Sequence, residues 1–468
     1  MSSDPSSRTG LRIRTLFALT KQALAGEHLD YTTGSIRRAV LLLSIPMILE
    51  MCMESLFAVV DIFFVGRLGK EAVETVALTE SATTVVYSVA IGLSMAATAL
   101  VARRVGEKEP AKASRSAAQA INVSLLFTLL FSLIGAFGAG GILHLMGGTK
   151  EVVDFGSSFT RIIFSSTLFI MLLYLINGIF RGAGSAFTAM KALWIANGCN
   201  IILCPIMIHF YGLPGAAIAT TIGRGVGVCY QVFYLFGGKG VIQIRLRQFA
   251  PDWLLIGSVI KVAWTGAAQF LIGAFSWVVM TRMIAKNFGS VAVDGYVVAI
   301  RILLFFLLPA WGMSNAAATL VGQNLGAKRP DRAEQSVWTA ARYNTVFMIL
   351  VSLLVLVWAE PVVGFINKDP GIIAVGVRAL HIISMGYIFY GVGMVMTNAF
   401  NGAGDTRTPT VLNLVVYWAF QMPAAWIMAV KLNWGPTGVF IAILSAEMLI
   451  TIASFVIFRK GRWKKVKI

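Results

Sequence analysis

The chain contains about twelve long apolar runs, separated by short polar stretches or by turns with glycine and proline. A bilayer core is about 30 Å thick, so a helix needs about 20 apolar residues to cross it. Because lipid offers no partners for backbone polar groups, runs of this length predict membrane-spanning helices. The predicted spans are residues 39–65, 76–101, 117–146, 159–180, 189–209, 213–236, 253–283, 291–322, 337–366, 372–400, 409–431 and 435–458.

The composition argues against soluble and disordered classes. Charged residues make up 13% of the chain, about half of the roughly 25% of a soluble domain. The mean hydropathy of +0.78 is also too high for a disordered chain. The sequence has no phosphate-binding loop, no metal-ligand spacing and no recognisable catalytic cluster. We therefore expect neither a cofactor nor enzymatic activity.

The positive charge predicts the topology. The net charge is +18, and about 28 of the 39 Lys and Arg residues lie in the two tails and in the loops after even-numbered spans. The positive-inside rule makes this face cytoplasmic, and an even number of spans places both termini there. Membrane lipids are therefore expected partners and nucleic acid is not. Residues 11–24 form either a segment lying on the membrane surface or a solvated basic tail.

An internal repeat divides the chain into two halves. The stretch from Gly92 to Pro110 recurs, 220 residues later, as the stretch from Gly312 to Pro330. Each half holds six spans, so both halves enter the membrane from the same side and are related by a pseudo-twofold axis along its normal. The binding site is expected between them, near the membrane midplane. The predicted parts are a cytoplasmic tail (1–35), an N-lobe (36–236), a cytoplasmic linker (237–252), a C-lobe (253–458) and a basic cytoplasmic tail (459–468).

The first span carries three acidic residues. Glu50, Glu54 and Asp61 fall within about 40° of one another on a helix, so they share one face. Carboxylates in a membrane span are costly and indicate function, here the binding of a proton or a sodium ion. Alternatively, Glu50 and Glu54 line a wet cleft or pair with a buried base without any coupling role. Pro46 interrupts the hydrogen-bond ladder of the same helix and is the predicted hinge.

Amides and hydroxyls follow in the next spans. Such groups can coordinate sodium or hold a protonated acid, although they also serve in helix packing. Arg224 and Arg301 also fall within predicted spans, where each either snorkels or neutralises a carboxylate. The polar candidates for the cation-coupling site are Asn177, Asn197, Asn200, Thr220 and Thr221.

Several motifs together resemble the multidrug and toxic compound extrusion (MATE) transporters of bacteria. The resemblance covers roughly residues 36–458. It implies twelve helices in two lobes that form a V, and cation-coupled export of cationic, amphipathic compounds. The motifs are Ser44-Ile-Pro46, Val60-Asp61-Ile-Phe-Phe-Val-Gly-Arg-Leu-Gly69, the paired Gly92 and Gly312 stretches, Phe180-Arg-Gly-Ala-Gly184, Phe400-Asn-Gly-Ala-Gly-Asp-Thr-Arg-Thr-Pro409 and Asn197-Gly-Cys-Asn-Ile-Ile-Leu-Cys-Pro205.

The resemblance also implies roles for individual residues. The aspartate of the family's first span falls on Asp61 and the asparagine of its fifth span on Asn200. The threonine of its sixth span falls on Thr220 or Thr221. If the coupling ion is sodium, Asp61 and Asn200 are its expected ligands.

The chain also departs from the family pattern. Cys204 stands where some relatives have an acid, and Phe57 where they have a tyrosine. In the C-lobe, the seventh span has Gln269 in place of an acid and the tenth span has no acid. Cation binding is therefore expected in the N-lobe alone, with Glu54 or Glu50 replacing the acid missing at Cys204.

The leading hypothesis is a multidrug efflux antiporter that exports small cationic or amphipathic compounds in exchange for H+ or Na+. Its expected form is a monomer in the bacterial inner membrane. One alternative is a flippase for lipid-linked oligosaccharides, which would have a more basic cleft. The other is a membrane-embedded enzyme, for which the sequence offers no catalytic cluster.

Overall fold

A computed structural model describes residues 18–26, 29–238, 240–466 and 468, and this part of the chain is helical throughout, without a strand. Of the predicted N-terminal tail, residues 1–17, 27 and 28 lie outside the described residues. So does half of the stretch from 11 to 24 on which the surface-segment prediction rests, whereas residues 18–23 are helical.

Seven helices form the stretch from residue 36 to residue 236. They are α1 (Ile36–Val65), α2 (Lys70–Gly106), α3 (Pro110–Leu145), α4 (Lys150–Ser165), α5 (Thr167–Gly182), α6 (Ala186–Tyr211) and α7 (Leu213–Phe236). Pro46 lies inside α1, which is helical on both sides of it, so its role as a hinge stays a prediction.

Six helices form the second half. They are α8 (Trp253–Gly326), α9 (Pro330–Ile366), α10 (Pro370–Ser384), α11 (Tyr387–Ala403), α12 (Arg407–Lys431) and α13 (Pro436–Arg459). Helix α8 has 74 residues and is broken at Gly289, so it contains two of the predicted spans.

The helices agree with the predicted membrane topology. In the described part of the chain, seven helices are long and apolar enough to cross a membrane. Two further pairs of bent helices each form one span, which brings the number of spans to nine. The break in α8 adds a further span, and α1 and α7 correspond to the first and sixth predicted runs. The prediction of an all-helical membrane protein built from two repeated lobes is confirmed.

The backbone repeats together with the sequence. Gly69 and Gly289 both have positive φ, and so do Lys108 and Lys328, each pair being 220 residues apart. The predicted fourth and tenth spans are both bent, by 41° between α4 and α5 and by 55° between α10 and α11. The first bend arises because the chain leaves the α-helical region at Ser166. Each of the predicted spans 159–180 and 372–400 therefore consists of two helices joined at a bend.

Helix α12 departs from the repeat. Gly184 and Gly212 are 28 residues apart, whereas the corresponding Gly404 and Gly435 are 31 apart, and all four have positive φ. The three additional residues fall where α12 is π-helical, over Leu414–Gln421 and Ile427–Lys431. A π-bulge adds a residue to a helix without breaking it, which explains how the C-lobe accommodates the insertion.

Glycines allow the two lobes to meet at the end of the molecule where α1 begins and α13 ends. A Cβ on Gly106 would overlap the backbone of Gln323, and one on Gly326 would overlap that of Arg103. Gly92 likewise lies against the backbone of α8, and Gly312 against that of α1. Since small residues let helix backbones approach closely, α2 and α8 close this end of the space between the lobes.

The C-terminal segment crosses this closed end. Trp463 is buried and stacks on Phe458 with ring centroids 4.8 Å apart. Lys464 Nζ lies 2.6 Å from Glu334 Oε2 on α9, and Arg103 Nη2 on α2 donates to the carbonyl oxygen of Val466 at 2.9 Å. The segment therefore contacts both lobes.

Replacing Gly106 with valine should separate the lobes at this end, because a side chain cannot share the space of the Gln323 backbone. The distance between spin labels on Lys112 and Gln335 should increase. Gly138→Val is the matched control, since a Cβ there would meet nothing within 4 Å. Equal distance distributions in the two variants would contradict the close contact.

The pH should control the attachment of the C-terminal segment. The hydrogen bond from Lys464 lowers the pKa of Glu334. The interaction of Glu334 with Lys464 therefore stabilises the folded protein fully above the ordinary pKa of a glutamate, and this stabilisation is lost as the pH falls through the lowered pKa of Glu334. Glu334→Gln should speed hydrogen exchange at Trp463 and Lys464. Asp331→Asn is the control and should change little, because Asp331 is 90% exposed and its oxygen lies 3.5 Å from Lys464.

Candidate functional site

A cavity of about 260 Å³ lies between the lobes, next to the glycine contacts. The N-lobe contributes two acids, Glu50 and Glu54, and one base, Arg181. The C-lobe contributes mainly apolar and amide side chains, among them Phe270 and Trp311. Glu50 is the fifteenth of 30 residues in α1, so the cavity lies near mid-membrane depth, where a site between two repeated lobes is expected.

Glu50 forms a buried ion pair. Its side chain is almost fully buried, and both Asn177 Nδ2 and Arg181 Nη1 donate to its Oε1 at 3.0 Å. Arg181 also donates to Ser94 Oγ at 2.9 Å, and Gln231 Nε2 donates to Asn177 Oδ1 at 2.8 Å. These bonds fix the carboxylate and compensate its charge, as a buried charge requires.

Glu54 lies one turn further along α1 and has neutral partners. Tyr174 donates to its Oε1 at 3.1 Å and Asn197 Nδ2 to its Oε2 at 3.0 Å. Arg224 donates to the Tyr87 hydroxyl at 2.6 Å, and its charge acts on Glu54. Arg224 is therefore a counter-charge within the lobe rather than a snorkelling side chain.

Asp61 lies further from the closed end. Among the described residues its hydrogen-bond partner is Cys204, whose Sγ lies 3.9 Å from Oδ1. The positive charge of Arg224 attracts it, and it also lies within electrostatic range of Glu80. Asp61 is thus held by fewer hydrogen bonds than the other two acids of α1.

Of the remaining predicted residues, Asn200 and Thr220 bond to each other and Thr221 bonds to Ser166. Asn200 Nδ2 donates to Thr220 Oγ1 at 2.8 Å, and Thr221 Oγ1 donates to Ser166 Oγ at 3.0 Å. No group of three or more His, Cys, Asp or Glu side chains that could hold a metal ion occurs in the part of the chain that the structure describes. Asp61 and Asn200 as sodium ligands therefore stay a prediction.

The sequence reasoning missed four polar residues inside the lobes. Arg181 and Tyr174 provide the partners of Glu50 and Glu54, and Glu80 and Glu447 are acids within the second and twelfth spans. A usable signal was available for Arg181: it lies four residues after Asn177 and so shares its helix face. The acids at 80 and 447 could have been found by counting every charge within a span.

The C-lobe half of the cavity is the neutral counterpart of the N-lobe half. At the repeat offset, Phe270 corresponds to Glu50 and Asn401 to Arg181, and all four line the cavity. Ser314, which corresponds to Ser94, accepts a hydrogen bond from Asn398 Nδ2 at 2.6 Å. One scaffold therefore carries an ion pair on one side and amides with an aromatic ring on the other.

Comparison with known proteins gives the same family for both lobes. The model of the MatE family matches residues 46–206 and 267–427, one stretch in each lobe. The probable multidrug resistance protein NorM of Thermotoga maritima is 25% identical over 461 residues, which cover 96% of this chain and 97% of that protein. The multidrug export protein MepA of Staphylococcus aureus is 21% identical over 92% of this chain and 95% of its own.

Solved structures show the same fold. The outward-facing conformation of a multidrug resistance MATE family transporter of the MOP superfamily has a TM-score of 0.89 at 24% identity, covering 94% of this chain and 99% of that one. A MATE structure in complex with MaL6 has a TM-score of 0.89 at 23% identity, covering 94% of this chain and all of that one. At these identities the likeness concerns the fold alone.

Replacing Arg181 with alanine should destabilise the protein by about 3–5 kcal/mol, because Glu50 would remain buried and unpaired. The double variant Glu50→Gln with Arg181→Gln should recover much of the loss. Thermal unfolding in detergent measures both effects.

Arg115→Ala is the matched control for this prediction. The Arg115 side chain is 55% exposed in its ion pair with Asp252, so its loss should cost about 1 kcal/mol or less. Similar losses of stability in Arg115→Ala and Arg181→Ala would show that the burial of the Glu50–Arg181 ion pair is unimportant.

Proposed function

This chain belongs to the MatE family of membrane transporters, which are not enzymes, and on that premise we propose that it is a multidrug efflux antiporter. It exports small cationic, amphipathic compounds through the cavity between its lobes and takes up protons in exchange. The names of its relatives, multidrug resistance and multidrug export proteins, support the efflux role.

The observation that carries the proposal is the position of the acidic face of α1. Glu50 and Glu54 reach the cavity, while Asp61 lies on the same face of the same helix and away from it. A change of charge at Asp61 can therefore act on the substrate site through movement of α1, with Pro46 as the bending point. The free energy of cation binding at Asp61 is then coupled to the free energy of substrate binding in the cavity.

The lining of the cavity supports a cationic substrate. Two acids face one base, and that base, Arg181, is already paired with Glu50. Aromatic rings from both lobes, among them Tyr174 and Trp311, suit a flat cation by cation–π attraction. An anionic lipid cargo would need free positive charge in the cleft, so the flippase alternative has no support here.

The surroundings of Asp61 favour a proton over sodium. Its hydrogen-bond partner among the described residues is a thiol, which is a poor ligand for a hard cation. A carboxylate with few partners can accept a proton and release it when water enters.

The tails and basic loops support a cytoplasmic location of the closed end. Arg103, Arg104, Lys108 and Lys112 all lie there, together with the basic segment after α13. By the positive-inside rule this end faces the cytoplasm of a bacterial inner membrane, so the structure is closed towards the cytoplasm.

Asp61→Asn should abolish efflux driven by a pH gradient and leave the protein folded, because the amide keeps the shape of the side chain but cannot exchange a proton. Purified protein in proteoliposomes is loaded with a fluorescent cation, and its efflux is followed under a pH gradient or a sodium gradient. Asp294→Asn, at an exposed acid of α8, is the control and should transport normally.

Two results would overturn parts of this proposal separately. Efflux at the normal rate in Asp61→Asn would exclude the coupling role of Asp61. Efflux that only a sodium gradient drives would exclude proton coupling while leaving the antiport mechanism intact.

A further inference from the structure

A buried acid lies in the C-lobe, outside the cavity. Glu447 is 6% exposed and is the twelfth of the 24 residues of α13, so it lies at mid-membrane depth. Insertion of a carboxylate at this depth is costly, which is why acids inside spans indicate function. The N-lobe site described above makes no use of it.

Glu447 has no positive counter-charge among the described residues. Tyr417 on α12 donates to its Oε1 at 3.0 Å, and Tyr390 on α11 lies close to the same carboxyl group. The Tyr390 hydroxyl is buried and has no hydrogen-bond partner other than this carboxyl group in the described part of the chain. An ionised, unpaired carboxylate here would face the full cost of desolvation, unlike Glu50 with its arginine.

The charged groups on the neighbouring helices do not compensate it. Arg378 on α10, Arg407 on α12, and Asp294 and Arg301 on α8 are all exposed. The further buried phenols of the lobe, Tyr387 and Tyr296, have hydroxyls without a partner among the described residues. The two polar groups recorded beside the acid, Tyr417 and Tyr390, are thus neutral phenols.

The corresponding position in the N-lobe holds the opposite charge. Arg224 is the twelfth of the 24 residues of α7, as Glu447 is of α13. Each charge has a tyrosine hydroxyl as partner, Tyr87 in the N-lobe at 2.6 Å and Tyr417 in the C-lobe at 3.0 Å. Arg224 has acidic residues near it within its lobe, whereas Glu447 has no basic residue near it among the described residues. A cation from solution is therefore needed to neutralise the charge of Glu447.

We propose that Glu447 is a second proton-binding site of this transporter, in which Tyr417 and Tyr390 hold the protonated carboxyl group. A proton fits better than a metal ion, because hard metal cations need about six or more oxygen ligands and this pocket offers one carboxylate and two phenols. The proton comes from water and binds a carboxylate oxygen, and it returns to water when the C-lobe opens. That a second proton is exchanged per substrate rests on the proposed function, whereas proton binding at Glu447 does not.

Infrared difference spectra of the full-length protein in lipid, recorded over a pH titration, test the binding directly. A carboxylic-acid C=O band should be lost in Glu447→Gln and retained in Glu360→Gln, the matched control at an exposed acid of α9. Tyr417→Phe should shift this band without removing it, since it removes the hydrogen bond and leaves the acid.

A spectrum of Glu447→Gln identical to that of the unaltered protein would overturn the proposal. So would loss of the band on adding sodium at constant pH, since the site would then hold a metal ion. If Glu447→Gln does not fold, Tyr417→Phe tests the proposal instead. A shifted carboxylic-acid band in Tyr417→Phe would support proton binding at Glu447, and an unshifted band would overturn it.

Transport gives a second readout. The number of protons exchanged per substrate should fall by one in Glu447→Gln, whereas Asp61→Asn should abolish coupled efflux altogether. An unchanged ratio in Glu447→Gln would exclude a part in coupling, and failure of the Asp61 prediction alone would count only against the N-lobe mechanism.

Discussion

Close backbone contact between the two lobes is the constraint on which the rest of this structure depends. Gly106 and Gly326 lie where α2 and α8 meet, and neither position has room for a Cβ. Because α2 and α8 touch at this end, the space between the lobes is closed there. The cavity lies next to this contact, on the side towards the membrane midplane. The repeated glycines of the sequence are thus explained by a two-sided contact in which each lobe presents the same surface to the other.

The lobes have diverged in charge while their backbones have stayed alike. The N-lobe holds Glu50 with Arg181 and Glu54 with Arg224, whereas the C-lobe has Phe270 and Asn401 at two of the corresponding positions. Compensated charges can stay ionised in a dry interior at tolerable cost, but uncompensated ones must gain a proton or a cation. Glu50 is paired in this way with Arg181 and is a structural charge. Asp61 shares the positive charge of Arg224 with Glu54 and Glu447 has no basic group near it, so neither forms an ion pair in the described part of the chain, and both are candidates for ion coupling.

Much of the fold could be predicted from the sequence because it depends on local patterns. The apolar runs, the constant offset between Gly92 and Gly312, and the turns at Gly212 and Gly435 all involve neighbouring or regularly repeated residues. The partners of the acids could not be predicted, since Arg181 is 131 residues from Glu50 in sequence and meets it only once the lobe has folded. Glu447 lies outside the seventh and tenth spans, where the family pattern has the acids of the C-lobe, so the resemblance does not point to it.

The π-helical turns of α12 have a consequence for comparing the two halves. Before them, a residue and its counterpart differ by 220 in number, but after them they differ by 223. A constant offset would pair Arg224 with Leu444, whereas equal depth in the helix pairs it with Glu447. The insertion of three residues shifts the later residues by almost one helical turn relative to their counterparts in the N-lobe. The last helix of each lobe nevertheless has the same length. Functional residues of the last span must therefore be matched between lobes by their depth in the membrane, because counting along the chain leads to the wrong side chain.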